Sequence, residues 1–515
     1  MQLCNTSGVN LADLVRDAAA ADPDRAALRH RDDVMTWAAL DRDVDRFAGG
    51  LLALGLVAGD RVAIALGNTP AFVTAYFGTL RAGLVALPVN TGYTPSEIEH
   101  VLADSGARLV VGHRGAATDL LALVDEVDTL DHVVVADAAS APAGARTFDD
   151  LIALGEPAGR VETGVGDDDL AVLIYTSGTS GRPKGAMLRH AALLANLDQT
   201  ARIEPPIIDH DDVVLLVLPL FHIYALNAGL GAVVKHGATG VLVERFDPVE
   251  TLVEMRRHQV TNVIGAPPMY VAWSMLPDLG DAFVSVRLAV SGAAPLPATV
   301  LRRILDVTGH HVFEGYGLTE TAPVLTTTLM SVVAKPDSIG RPVPGVELRL
   351  VDEQGVEPED GDPGEIVVRG ANVFAGYWPD GRGGPDAQGW WPTGDVAYVD
   401  EDGDYHLVDR RTELILVSGF NVYPREVEDV LAAHPDVLEA AVLGIAHPYT
   451  GESVKALVVR RPDARLTADE VIAHCGRSLA RFKCPTAVEF VDELPHGATG
   501  KVAKGQLREL DAAAG

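Results

Sequence analysis

Residues 176–185 read TSGTSGRPKG, a run whose side chains and spacing suit an anion. Glycines at 178, 181 and 185 let backbone N–H groups crowd around charged oxygens. Hydroxyls of Thr176, Ser177, Thr179 and Ser180 add donors, and Lys184 supplies one point charge. The apolar run LAVLIY (170–175) precedes the loop as a buried strand would, and a helical pattern is expected after it. The spacing is not that of G-x-x-x-x-G-K-[ST]. Arg182 and Pro183 stand between Gly181 and Lys184, and Gly185 occupies the place of the hydroxyl that would meet Mg²⁺. The loop is therefore expected to hold phosphate for a purpose other than simple hydrolysis.

Further chemistry-bearing segments follow in order. They are LPLFHIYAL (218–226), VSGAAPLP (290–297), FEGYGLTETAPV (313–324), WPTGDVAYVDEDG (391–403), VDRRTELILVSGFNVYPREVE (408–428) and LPHGATGK (494–501). Together with the loop, this ordered set resembles the adenylate-forming superfamily of acyl-CoA synthetases, peptide-synthetase adenylation domains and luciferases. The resemblance covers nearly the whole chain.

The chemistry that this resemblance implies accounts for the parts. A carboxylate resists nucleophilic attack, and transfer of AMP to it from ATP creates a leaving group that a thiol can displace. Two anions must meet first, so cations are needed where charge accumulates. The resemblance implies that Thr176, Ser177, Gly178, Thr179 and Lys184 hold the β- and γ-phosphates, Thr319 touches the α-phosphate and Glu320 holds Mg²⁺. Asp395, as an acceptor-only carboxylate, would take hydrogen bonds from the ribose, assisted by Arg410. Tyr316 would lie against adenine, with the backbone of Gly292, Ala293 and Ala294 opposite. Lys501 would bridge the carboxylate and α-phosphate during adenylation. Thr412 stands at the hinge position, where relatives carry Lys or Asp, so a residue without charge would balance the two conformations. Ser418, Gly419 and Phe420 would line the path of CoA.

The acid is read from departures among relatives. Amino-acid-activating relatives place Asp after the Phe of 218–226, and this chain has His222. Malonate-type relatives carry Arg where this chain has Gly315. The remaining candidate lining residues, Tyr224, Leu226, Met269, Ser291 and Gly317, bring no fixed charge, and the small ones leave room for an apolar chain. His222 would gate the tunnel or touch the carboxylate, or else pack as an ordinary aromatic. The expectation is a medium- or long-chain fatty acid–CoA ligase. An acyl-AMP ligase loading an acyl-carrier protein and an aryl acid–CoA ligase are the alternatives. A non-enzymatic binding module would be expected to have lost Lys184, Glu320, Asp395 or Lys501, and all four are present.

These residues need elements to hold them. GDRVAIAL (59–66), LVALPVN (84–90), a helical segment near 70–82 and the capped helix TPSEIEHVLADSG (94–106) alternate, which argues for parallel sheets flanked by helices. After about residue 330 short strands and tight turns suggest a β-rich subdomain, about 330–409. Residues 410–515 read as a small, mobile α+β domain, with PREVEDVLAAHPDV and TADEVIAHCGRSLARF as its helices. The fold class is thus α/β, with a large domain over 1–409.

The whole chain of 515 residues exceeds what one core serves, and its net charge of −31 repels nucleic acid. That charge also repels ATP at long range, so the nucleotide site must bring its own cations. Cys4, Cys475 and Cys484 have no metal-ligand spacing, and the first residues do not read as a signal peptide. A cytoplasmic monomer or homodimer without an integral membrane segment is expected.

Overall fold

Strands rich in Val, Ile and Ala on both faces need cover on both sides, and two parallel-centred sheets with helices between and around them supply it. The computed structural model describes residues 10–137, 140–176, 183–352, 354–410, 413, 415–417, 420–447, 451–497 and 502–514. In the seven-stranded sheet the order is Ala145–Thr147, His132–Ala136, Ala107–His113, Arg61–Ala65, Val85–Pro88, Leu170–Thr176 and Lys184–Arg189. All neighbours are parallel except the last pair, an antiparallel hairpin with Thr176 opposite Lys184.

The nine-stranded sheet runs Arg341–Pro342, Val324–Thr327, Val312–Gly317, Leu288–Ser291, Asn262–Gly265, Val213–Leu216, Thr239–Leu242, Ala26–His30 and Asp33–Thr36. Its six central strands are parallel, and antiparallel strands close both edges. The helices Trp37–Ala53 and Pro70–Arg81 contribute Trp37, Phe47, Phe72, Tyr76 and Phe77, all fully buried, to the main core. The predicted capped helix is Pro95–Ser105. Thr94 and Glu97 form a capping box at its start, and Gly106 takes a left-handed conformation at its end.

A four-stranded antiparallel sheet of Val346–Val351, Gly364–Gly370, Trp391–Val399 and Tyr405–Arg410 forms the expected β-rich subdomain. The small C-terminal domain has its own core around Val422, Val427, Val442 and Val458. There Phe420–Val422, Ile415–Val417, Gly451–Arg460 and Val437–His447 pair in that order, and Ala487–Val491 joins Gly451–Arg460 in parallel. Among the described residues, no helix is long and apolar enough to cross a membrane.

Two local expectations are corrected. The segment after the phosphate loop is a strand, Lys184–Arg189, and the helix begins only at His190. The hairpin wins because Ala186 and Leu188 are buried in the main core while the backbone of Lys184–Arg189 pairs with Leu170–Thr176. The segment 467–482 is not one helix either. It stops at Cys475, with Gly476 as its cap, and a single turn at Arg481–Lys483 follows.

Candidate active site

Four neighbouring parallel strands of the nine-stranded sheet end on one rim, and the candidate residues follow those ends. Val213–Leu216 leads to His222 and Tyr224, and Asn262–Gly265 to Met269. Leu288–Ser291 leads to Gly292, Ala293 and Ala294, and Val312–Gly317 to Thr319 and Glu320. Carboxyl ends of parallel strands are where open sheets bind ligands, because the crevice there is lined by loops rather than by the sheet.

Thr319 and Glu320 lie in one tight turn, Thr319–Thr321, and both are buried. A buried turn must pair its own backbone groups. Here Thr321 Oγ1 accepts from Leu318 N and donates to the Pro323 carbonyl. Three buried asparagines, two on helices and one in a turn, complete the pairing. Asn372 Nδ2 donates to Thr321 O at 2.7 Å, Asn227 Nδ2 to Ala322 O at 2.7 Å and Asn196 Nδ2 to Val324 O at 2.8 Å. Asn196 Oδ1 accepts from Val324 N in return, and Gln199 holds Asn372. Leaving any one of these carbonyls without a partner would cost about 1–3 kcal/mol. The asparagines therefore fix the turn that presents Glu320.

The phosphate hairpin is tied to that turn by residues 374–378. Ala375 N donates to Met187 O, Met187 N to Gly376 O and Trp378 N to Gly185 O. The same short segment reaches the other way, with Phe374 N donating to Glu320 O at 2.8 Å. Tyr377 Oη donates to Glu320 Oε1 at 2.7 Å, and the Lys184 ammonium lies 5.6 Å from the centre of the Tyr377 ring. Lys184 and Glu320, 136 positions apart in sequence (320 − 184), are thus brought to one place. Thr176 Oγ1 donates to Lys184 O at the mouth of the hairpin.

Asp395 belongs to the strand Trp391–Val399, where irregular pairing on both flanks turns its side chain out of the simple alternation. It is buried and accepts from Tyr316 Oη at 2.6 Å, so the two residues expected around the nucleoside do meet. The backbone of Arg410 pairs opposite Asp395.

Around the expected acyl region, Leu226 and Met269 are buried in apolar clusters. The segment Tyr224–Gly231 is a π-helix, whose hydrogen bonds span five residues where an α-helix spans four. Its first residue packs so closely on Gly292 that a Cβ there would meet the Tyr224 ring at 2.8 Å. The hydroxyls of Tyr224 and Ser291 are buried and make no hydrogen bond among the described residues. His222 Nδ1 accepts from Tyr224 N at 3.3 Å, which leaves Nε2 to carry the proton of the neutral ring. Smallness has two different causes here. At Gly315 a Cβ would meet ordinary contact, Thr326 O at 3.5 Å, whereas at Gly317 it would run into Pro323 O at 1.8 Å. The missing side chain of Gly317 makes room for the chain itself.

Ser177, Gly178, Thr179, Thr412, Ser418, Gly419 and Lys501 lie outside the described residues, and for Phe420, as for Arg410, the backbone alone is described. Sequence reasoning missed Tyr377 and the asparagines Asn196, Asn227 and Asn372. Lone amides inside the apolar runs HAALLANL and YALNAGLG were the available signal, since a buried amide needs partners. For Tyr377 no local signal existed.

Glu314 also escaped notice. It is buried beside Leu296 N, which donates to its Oε1 at 2.9 Å. Burial pushes its carboxyl up to about 7, with a smaller contribution from Asp337. Its folded value exceeds the ordinary 4.5, so its contribution to stability is full below about 4.5 and lost as pH rises through about 7. Glu314→Gln keeps an acceptor for Leu296 N and is expected to flatten that decline. Calorimetric melting between about pH 5 and about pH 8 checks this. An undiminished slope in the variant would place the titration elsewhere.

Residues 15–378 match the model of the AMP-binding enzymes, and residues 426–501 match the AMP-binding enzyme C-terminal domain. The chain belongs to the AMP-binding enzyme family. Among relatives of this AMP-binding enzyme, a long-chain-fatty-acid–CoA ligase of Yersinia pestis is 37% identical, covering 98% of this chain and 95% of its own. A feruloyl-CoA synthase of an Amycolatopsis species is 38% identical over 95% of this chain and 96% of its own. The crystal structure of ATP-bound MatB from Rhodopseudomonas palustris superposes with a TM-score of 0.89. It is 34% identical and covers 97% of this chain and 98% of its own. The AMP-binding enzyme is an acid–CoA ligase of the adenylate-forming type.

Proposed function

We propose that this ligase activates a medium- or long-chain fatty acid, forming acyl-AMP with release of pyrophosphate and then passing the acyl group to CoA. The observation that carries the reading is the near-full-length likeness to long-chain-fatty-acid–CoA ligases. It is supported by lining candidates Tyr224, Leu226, Met269, Ser291 and Gly315, which bring no fixed charge to the acid's tail.

In this reading Thr176, Ser177, Gly178, Thr179 and Lys184 grip the pyrophosphate end of ATP, and Thr319 donates to the α-phosphate. Asp395, assisted by Arg410, accepts from the ribose, and Tyr316 lies along the base opposite the backbone of residues 292–294. The donor set fits a hard divalent cation, because Glu320 is a buried carboxylate with one oxygen steadied by Tyr377. Mg²⁺, when bound with ATP, would supply charge neutralisation at the phosphates. His222 borders the acid's carboxylate end. Residues 410–515 then turn about Thr412, taking Lys501 away and bringing Ser418, Gly419 and Phe420 to the CoA path. A cytoplasmic enzyme is proposed.

A specific observation favours a second reading, an aryl acid. The two buried hydroxyls of Tyr224 and Ser291 could pair with a phenolic or methoxy substituent, and feruloyl-CoA synthases are relatives of equal likeness. Pyrophosphate release across saturated acids of increasing length and hydroxycinnamates, each with CoA or acyl-carrier protein, separates the readings. The fatty-acid reading expects kcat/KM to rise with chain length by about tenfold per two methylenes, each worth about 0.8 kcal/mol. A preference for hydroxycinnamates would overturn it.

A further inference from the structure

Tyr377 is not among the residues expected to meet a ligand, yet it touches two groups that are. Its hydroxyl donates to Glu320 Oε1, and its ring faces the Lys184 ammonium. We propose that Tyr377 is a positioning residue for the metal–triphosphate end of the nucleotide, holding Glu320 and Lys184 as a preset pair. The proposal rests on the reading of Glu320 and Lys184 given under Proposed function.

An ionised carboxylate only accepts, so the phenol must be the donor in the 2.7 Å bond. That bond holds one oxygen of the carboxylate and limits its rotation, and Oε2 is the oxygen proposed to meet the metal. A lysine and a carboxylate that closed on each other would each spend its charge on the other. The aromatic face instead attracts the ammonium while the hydroxyl engages the carboxylate, so each charge stays directed at the nucleotide. The phenol is itself held firmly. Phe374 packs edge-on against it with centroids 5.0 Å apart, and Trp391 packs on Phe374 at 5.1 Å. Tyr377 N donates to Arg382 O, and the residues on either side are laced to the phosphate hairpin. A tyrosine needed only as packing would serve as well without its hydroxyl.

The test is calorimetric titration of ATP with the acid substrate omitted, at a series of Mg²⁺ concentrations and in EDTA. It compares the wild type, Tyr377→Phe, Glu320→Gln and the double variant. Tyr377→Phe is expected to raise the half-saturating Mg²⁺ about tenfold, the scale of one hydrogen bond to a charged group. Its ATP affinity in EDTA should stay unchanged. The double variant should match Glu320→Gln alone, because the hydroxyl then has no carboxylate to orient. If Tyr377→Phe leaves the Mg²⁺ dependence intact while Glu320→Gln shifts it, Tyr377 is no positioning residue. An equal loss of affinity with and without Mg²⁺ would also overturn the proposal, by assigning Tyr377 to packing. If Glu320→Gln itself has no effect on Mg²⁺ dependence, the underlying reading of Glu320 fails.

Discussion

Lys501→Ala is expected to slow acyl-adenylate formation by about 10²–10³-fold, the scale of losing one preorganised donor at a transition state. The acid and the α-phosphate are both anionic, and the role proposed for Lys501 is to cover the charge passing between them. The C-terminal segment carries a second lysine that could be confused with it. Lys504 is committed elsewhere, 2.8 Å from Glu428 and 2.9 Å from Glu413 within the small domain. Lys501 is the lysine of this segment proposed for the reaction. Thioester formation from supplied acyl-adenylate should survive, because that step starts after pyrophosphate has left and, in the proposed reading, follows the turn that takes Lys501 away. Single-turnover measurement of each half-reaction decides the matter, and a joint fall of both would remove Lys501 from its assigned role.

Asp395→Ala is expected to weaken ATP binding by about 10²-fold, since hydrogen bonds to a charged group contribute about 1.5–3 kcal/mol each. One carboxylate oxygen is engaged by Tyr316, which steadies the side chain in the buried position proposed for ribose recognition. The discriminating measurement compares ATP with 2′,3′-dideoxy-ATP by calorimetry. The wild type should prefer ATP strongly, and the variant should bind the two alike. Retained preference in Asp395→Ala would mean that the ribose is recognised elsewhere. Tyr316→Phe provides the intermediate case, with the carboxylate present but no longer steadied.

What the sequence reveals and what it hides follow from the range of the forces involved. Thr94 and Glu97 cap a helix from three residues apart, and the strand Arg61–Ala65 is apolar along its length, so both are legible locally. The strand Lys184–Arg189 is not, because part of its backbone pairing comes from residues 375–378, far along the chain. Tyr377 is hidden for the same reason. Nothing in FAGYWPD announces a carboxylate partner that arrives from residue 320. Glu320, Asp395 and Tyr316 are legible only through the family resemblance of the motifs that carry them, whereas Lys184 also stands out in its glycine- and hydroxyl-rich loop. Of the asparagines that fix the Thr319–Thr321 turn, Asn196 and Asn227 sit in ordinary helical text and Asn372 in a turn, and only the folded arrangement gives them carbonyls to serve.

The wide winding of Tyr224–Gly231 has a consequence for how the acid pocket can change. Through it one segment sets Tyr224 against Gly292 and Asn227 against the Ala322 carbonyl at the same time. A single-residue deletion between them would change the spacing on which both contacts depend. Substitutions at Leu226 or Met269 leave that registration intact; an added Cβ at Gly292 or Gly317 would not, since it would meet the Tyr224 ring at 2.8 Å or Pro323 O at 1.8 Å. Diversification of the proposed acid pocket by replacing its apolar side chains is therefore compatible with an unaltered nucleotide frame, while insertions and deletions in this one helix would be felt at the turn that presents Glu320.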